Sequence, residues 1–139
     1  MTFLGSMASL IVGPLGAAPI HEPNFAIADS RHWVVMVTQP DCDYCVRLEK
    51  EVLKPLRASG IFAEKVKFTE VDLYDGFITD FDNSRIESDD FASRYQGFGT
   101  PTLLFLSAQG DVLAPAIFGI PDAIDFFAHD IEQIISKLP

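Results

Sequence analysis

Cysteine and basic residues are scarce in this sequence of 139 residues. It contains two cysteines, and ten lysines and arginines stand against twenty aspartates and glutamates, for a formal net charge of −10. A negative charge of this size repels phosphate backbones and anionic lipid headgroups. We therefore expect no nucleic-acid partner. Two cysteines are also too few for a four-cysteine zinc site.

Long apolar runs are missing as well. A membrane-spanning helix needs ~20 apolar residues, whereas Gly13 and Pro14 interrupt the long uncharged stretch at 1–20. Small residues follow at 16–18, as they do near a signal-peptide cleavage site, although a basic region is missing. We predict a signal-like or flexible segment at 1–20 and a periplasmic or otherwise exported protein, with a cytoplasmic location as the alternative.

The remaining composition is that of a globular protein. Apolar residues make up 48 % of the chain and include twelve phenylalanines, which suffices for a core at this length. No internal repeat or second compositional region is found. We predict a single domain at 21–139 that acts as a monomer.

The first half of this domain shows strand and helix periodicities. The run "HWVVMVT" (32–38) predicts a central strand buried on both faces. An amphipathic helix follows, and it should kink or end at Lys54, because Pro55 disfavours helical geometry at the preceding residue. The stretch "KVKFTEVDL" (65–73) predicts a second strand.

In the second half, "YDGFITDFDNSRIES" predicts an irregular, solvated surface insertion. Ser88 is the predicted N-cap of a short helix, and "TLLFLSAQGDVLAPAIFG" predicts a hairpin in which Pro115 confines the second strand to an edge. A last helix follows Pro121. Its predicted apolar face comprises Ile124, Phe127, Ile131, Ile134 and Leu138. This order predicts an α/β fold with one mixed sheet of four to five strands and helices on both faces.

Both cysteines lie in "QPDCDYC", where the first predicted strand gives way to a helix. Closing so short a loop stabilises a fold little, which favours a reactive pair. Free backbone amides and the helix dipole favour a thiolate on Cys42, and Cys45 lies one turn further, on the apolar face. We predict that Cys42 attacks a disulfide and that Cys45 resolves the mixed disulfide.

Taken in order, the motifs resemble those of the thioredoxin-fold oxidoreductases. They are the C-x-x-C pair after an apolar strand, "GTPT" at 99–102, the hairpin with "QGDV", Gly119 and the last helix, over about residues 30–138. The resemblance implies a cis bond before Pro101, packed beside the disulfide, with Thr100 offering backbone groups to an extended substrate. It also implies protein disulfides or thiols as substrates and no dissociable cofactor.

Within this superfamily, "QPDCDYC", "ITDFD" and "ESDDFASRYQGFGTPTLLFL" are most similar to exported thioredoxin-like proteins of bacterial sulfur-oxidation gene clusters, the SoxW type. That likeness implies a reductase supplied with electrons by a membrane thiol reductase. Tyr44, before the second cysteine, resembles the C-x-Y-C of glutaredoxins and of the isomerases DsbC and DsbG. It joins Thr100 and Pro101 as a predicted substrate contact.

The sequence also departs from cytosolic thioredoxin. Asp41 replaces the usual tryptophan before the first cysteine, and Met36 stands where that family has a buried acid. The proton acceptor for Cys45 is therefore open, with Glu70, Asp72 or water as candidates.

Two other functions stay open. A copper or zinc carrier would use Cys42, Cys45 and one histidine, although the three histidines, at 21, 32 and 129, show no recognised ligand spacing. A non-catalytic binding module would keep the fold only as a scaffold. We predict no resident metal.

The charges beside Cys42 lead to a first prediction. Asp41 and Asp43 oppose the helix-end effect on this thiol, so we expect the pKa of Cys42 to be lowered only moderately. Thiolate absorbance can be followed against pH in a Cys45→Ser variant, which leaves one thiol. A thiolate that persists below about pH 4, the acid end of the range for such cysteines, would contradict the prediction.

Overall fold

The computed structural model describes residues 22–139, so the segment predicted at 1–20 lies outside the described residues. The strands are β1 (His32–Thr38), β2 (Val66–Asp72), β3 (Phe77–Thr79), β4 (Arg85–Glu87), β5 (Thr102–Leu106) and β6 (Val112–Phe118). The helices are α1 (Asp43–Leu48), α2 (Lys54–Ser59), α3 (Ser88–Arg94) and α4 (Ile124–Ser136), and a π-helical segment (Glu49–Leu53) joins α1 to α2. Across 22–139, none of the helices combines the length and apolar composition needed to cross a bilayer.

Four strands form one mixed sheet in the order β2, β1, β5, β6. β1 pairs in parallel with β2 and antiparallel with β5, and β5 pairs antiparallel with β6. β1 is therefore an interior strand, and its five middle residues are all buried. The predicted central strand, the mixed sheet and the late hairpin are confirmed, and β6, which contains Pro115, lies at an edge.

Alternation along β1 divides the core into two layers. Val34 and Met36 pack with side chains of α1, the π-helical segment, α2 and α4. Val35 and Val37 point to the other face and pack with side chains of α3. Helices thus cover both faces of the sheet, which confirms the predicted thioredoxin-like α/β architecture.

The sequence predicted that the helix after the cysteines would kink or end at Lys54. It does not end there. Lys54 keeps helical angles of φ −63° and ψ −48°, and α2 runs to Ser59 before Gly60 ends it at a φ of 71°. The N–H of Lys54 bonds to the carbonyl of Glu49, five residues back. This wider π turn makes room for the ring of Pro55 within a continuous helix.

The acidic insertion is more ordered than predicted. β3 and β4 pair antiparallel, and Ile78 and Asp80 are only 0 % and 5 % exposed. The carboxylate of Asp80 accepts hydrogen bonds from Arg94 of α3 at 2.9 Å and from the backbone N–H of Phe81 at 2.8 Å. The prediction of a wholly irregular, solvated loop was therefore wrong, because the acid is paired with a cation fourteen residues away.

Two smaller details also differ from the predictions. Ser88 is the first residue of α3 and is buried, and the N-cap is Glu87, whose extended backbone continues from β4. On α4, Ile135 is fully buried, whereas Ile134 is only partly buried. The buried stripe follows a spacing of four residues at this end of the helix, which moves it from the predicted Ile134 to Ile135.

The ion pair between the buried Asp80 and the partly exposed Arg94 gives a second prediction. The hydrogen bonds from Arg94 hold the pKa of Asp80 below its ordinary value. Because Arg94 remains 45 % exposed, we expect Asp80→Asn to lower the free energy of unfolding by about 1–3 kcal/mol at pH 7, measured by urea denaturation.

The ion pair should also make the free energy of unfolding depend on pH. A carboxyl whose pKa is depressed by folding stabilises the protein above its unfolded pKa, and this stabilisation is lost as the pH falls through the folded value. The difference between wild type and Asp80→Asn should therefore shrink below about pH 4. Asp130→Asn, at an exposed position of α4, is the matched control. An equal loss of stability in both variants would refute the proposed role of the pair.

Candidate functional site

The two cysteines form a disulfide between the end of β1 and the start of α1. Cys42 is the N-cap of α1, and its Sγ accepts a hydrogen bond from the backbone N–H of Cys45 at 3.1 Å. Cys42 is half-buried, whereas Cys45 is 3 % exposed and faces the core. A reactant that arrives from solvent therefore meets Cys42 first.

The turn before β5 lies against this disulfide. The bond between Thr100 and Pro101 is cis, and the hydroxyl of Thr100 is 3.6 Å from Sγ of Cys42, where it can donate to the sulfur. Pro101 is buried, and its carbonyl accepts from the N–H of Gly119 at 2.8 Å. The turn is thus fixed to the end of β6, with Thr100 next to the more exposed sulfur.

The other predicted residues of the C-x-x-C segment all face solvent. Asp41 adopts a left-handed backbone with a φ of 58° before the helix, and Asp43 opens α1. Tyr44, between the cysteines, is 61 % exposed. These three side chains are therefore accessible to a partner that approaches Cys42.

The candidate proton acceptors lie on β2. Glu70 is paired in register with the buried Met36 on β1, so both side chains lie on the same face of the sheet, and Glu70 itself is exposed. The pKa of Glu70 is raised above its ordinary value. The larger cause is the partial loss of hydration, the smaller is the negative charge of Glu49, and the positive charge of Arg57 opposes both. Asp72 is half-buried and accepts a hydrogen bond from the N–H of Tyr74.

The residues proposed for a metal carrier are not brought together in the described part of the chain. His32 begins β1 and Cys42 follows its end, so a seven-residue strand of roughly 20 Å separates them. Between residues 22 and 139, the side chains close enough to share an ion are the exposed carboxylates of Glu87, Asp89 and Asp90. That trio contains neither cysteine.

Two aromatic residues at this end of the sheet were not predicted. Phe98 precedes the proline turn and is 68 % exposed, and Phe118, the last residue of β6, is 71 % exposed. The ring of Phe118 lies so close to Gly99 that a Cβ there would overlap it. Phe118 pairs with Thr102 only because the register shifts twice along the hairpin, so sequence alone could not have placed it beside the proline turn.

A disulfide at the start of a helix, held against a Thr-Pro turn of the neighbouring strand, is the arrangement that the sequence resemblance implied. Together with the sheet order, it defines the class as thioredoxin-fold proteins that carry a C-x-x-C pair.

The family follows from comparison with known proteins. The chain belongs to the thioredoxin-like domain family, whose model matches residues 22–129. A comparison with curated protein sequences gives no match.

Solved structures show the same fold. A DsbH oxidoreductase aligns over 96 % of both chains with a TM-score of 0.58 and 19 % identity. The germline-specific thioredoxin Deadhead from Drosophila melanogaster aligns over 80 % of this chain and 84 % of its own, with a TM-score of 0.55 and 21 % identity. A thioredoxin-fold protein from Helicobacter pylori aligns over 81 % and 78 %, with a TM-score of 0.56 and 17 % identity. At these identities the likeness concerns the fold alone.

Proposed function

We propose that this protein is a thiol–disulfide oxidoreductase that exchanges electrons with protein disulfides through Cys42 and Cys45. The observation that carries the proposal is the unequal exposure of two sulfurs that are already joined. Cys42 is partly open to solvent beside Thr100, and Cys45 is 3 % exposed. This arrangement suits a first attack by one sulfur and an internal displacement by the other.

In the reducing direction, the Cys42 thiolate attacks one sulfur of a partner disulfide, and the partner's second sulfur leaves as a thiolate. The thiol of Cys45 then loses its proton and attacks Sγ of Cys42, which releases the first partner sulfur. Two electrons pass from the cysteine pair to the partner, and the pair ends as the disulfide seen here. The reverse sequence uses the same atoms.

Neighbouring groups have distinct roles in this scheme. The hydroxyl of Thr100 can donate a hydrogen bond to Sγ of Cys42, and this favours a thiolate there. Glu70 is the proposed proton acceptor for Cys45, because its raised pKa makes it a better base than an ordinary carboxylate. Its register opposite Met36 places it on the same face of the sheet as the core layer that contains residues of α1, at an exposed position of β2.

The proposed setting is the periplasm or another exported compartment, with a cytoplasmic location as the alternative. The support is the uncharged segment at 1–20, which ends in small residues, and the similarity of "QPDCDYC" and "ITDFD" to SoxW-type proteins. In that setting the reaction needs a reductant, and we assign this role to a membrane thiol reductase. Protein cysteines that must stay reduced are the proposed substrates.

The exchange chemistry gives a third prediction. With dithiothreitol as donor, the wild-type protein should accelerate the reduction of insulin disulfides. Cys42→Ser should reduce this rate to that of dithiothreitol alone, because no attacking sulfur remains. Cys45→Ser, reduced and then freed of dithiothreitol before insulin is added, should instead accumulate a mixed disulfide with the substrate, visible by mass spectrometry, because the resolving sulfur is missing.

A Ser59→Ala variant, at the far end of the helix, is the matched control and should retain the wild-type rate. Anaerobic titration with copper(I) or zinc tests the carrier function in the same preparations. Tight binding of one ion together with no insulin reduction would replace the proposed function. A wild-type protein that does not reduce insulin, together with a Cys42→Ser variant that keeps partner binding, would favour a scaffold.

The proposed direction gives a fourth prediction. A reductase should have a reduction potential near −270 mV, measured by equilibrating the pair against glutathione buffers, whereas an oxidant would lie near −120 mV. A value at the oxidising end would reverse the direction while leaving the exchange chemistry in place.

A further inference from the structure

Three exposed aromatic side chains belong to the segments that meet at the disulfide, and we call them the aromatic rim: Tyr44, Phe98 and Phe118. They are 61 %, 68 % and 71 % exposed. Single exposed apolar residues are common on protein surfaces, but several together at one site indicate an interaction surface.

Their positions tie all three to the reactive sulfur. Tyr44 lies between the two cysteines in sequence. Phe98 comes two residues before Thr100, whose hydroxyl is 3.6 Å from Sγ of Cys42. Phe118 pairs with Thr102 across the hairpin and packs against Gly99. A partner joined to Cys42 by a disulfide would therefore have its neighbouring residues next to the rim, because a disulfide holds two Cα atoms within about 7 Å.

One wall of the rim is held in place by packing. A Cβ at position 99 would overlap the ring of Phe118, so this ring lies against Gly99 while most of its surface is exposed. The N–H of Gly119 donates to the carbonyl of Pro101 at 2.8 Å, and this fixes the backbone next to the ring. A positioned aromatic face costs a partner little ordering entropy on binding.

Acidic side chains accompany the segments that carry the rim. Asp41 and Asp43 flank Cys42 and face solvent, and Asp122 is exposed three residues after Gly119. The cation nearest to the cysteines in sequence, Arg47, is paired with Glu51 at 2.7 Å. A cationic partner is thus electrostatically complementary to this surface, and an anionic one is repelled.

We infer that the substrates are proteins in which the target cysteine is flanked by a bulky apolar residue and by lysine or arginine. This inference rests on the proposed function and names its substrate class. The apolar residue covers the aromatic rim, and the basic residues lie opposite Asp41 and Asp43. The acidic charge mainly accelerates the encounter, and the aromatic contact holds the complex while the sulfurs exchange.

Symmetric peptide disulfides, each made of two identical short peptides, test the inference with the reduced wild-type protein. In one peptide the cysteine is flanked by leucine and lysine, in a second by leucine and glutamate, and in a third by glycine and lysine. The neutral hydroxyethyl disulfide reports the exchange chemistry alone. The second-order rate constants are measured at one pH, at low and at high salt.

We expect the leucine–lysine peptide to react about tenfold faster than the leucine–glutamate peptide at low salt, with the ratio falling at high salt. It should also react about fivefold faster than the glycine–lysine peptide, as expected for a partly buried leucine. Equal rates for all three peptides, or a faster anionic peptide, would overturn the inference.

Two sets of variants assign the effects to the named residues. Phe118→Ser and Phe98→Ser should each remove most of the advantage of leucine over glycine. Asp41→Asn with Asp43→Asn should bring the ratio of the cationic to the anionic peptide close to one, and a ratio cancels any change in the thiolate fraction of Cys42. Ile61→Ser replaces an equally exposed apolar residue beyond the far end of α2 and should alter neither ratio.

These measurements distinguish a failure of the proposed function from a failure of the inferred substrate class. A wild-type protein that does not react even with hydroxyethyl disulfide would overturn the proposed function itself. A protein that reacts with this small disulfide but does not discriminate among the peptides would overturn only the substrate class. Rim variants that keep the leucine preference would show that the apolar contact lies elsewhere.

Discussion

The antiparallel pairing of β1 with β5 is the constraint on which the site depends. In this register Val37 lies opposite Thr102, so the chain that leaves β1 toward Cys42 passes the turn that enters β5. A slip of one residue would send the core side chains of β1 to the wrong face. The two different cores on the two faces therefore fix the register, and the register brings Thr100 to the sulfur of Cys42.

The cysteine-bearing helix is kept continuous by a local irregularity. A regular α-helix through Pro55 would lose one backbone hydrogen bond and crowd the proline ring against the preceding turn. The wider turn of the π-helical segment relieves the crowding while it keeps Val52 and Leu53 in the core. Continuity matters for the site, because the same helix positions Cys42 at its first turn and carries the core contacts that anchor it.

Much of this fold could be predicted from local patterns. The continuous apolar run identified β1 as a central strand, and Pro115 identified β6 as an edge strand. Both predictions were possible because each depends only on residues within the strand itself. The burial of Asp80 could not be read in this way, since its partner Arg94 lies on another element. The π turn before Pro55 and the place of Ile135 in the core likewise depend on packing between elements.

The site shows the same division between local and long-range information. The sequence predicted the two cysteines and the Thr-Pro turn, because each has its own motif and the resemblance joins them. It did not predict Phe98 and Phe118, which belong to no motif. The position of Phe118 beside the turn depends on the hairpin register. Residues proposed to carry specificity are harder to predict than those proposed to carry the chemistry, since many apolar side chains can form such a contact.

The acidic residues beside Cys42 affect reactivity and recognition in opposite directions. A carboxylate next to a thiol disfavours the thiolate, and this slows attack on every disulfide equally. The same charge raises the local concentration of cationic partners and lowers that of anionic ones. The effect on the thiolate lowers the rates with all substrates together, whereas the effect on local concentration makes the rates with cationic and anionic substrates differ. With Asp41 and Asp43 both exposed, the protein gives up some general reactivity and gains selectivity among its proposed substrates.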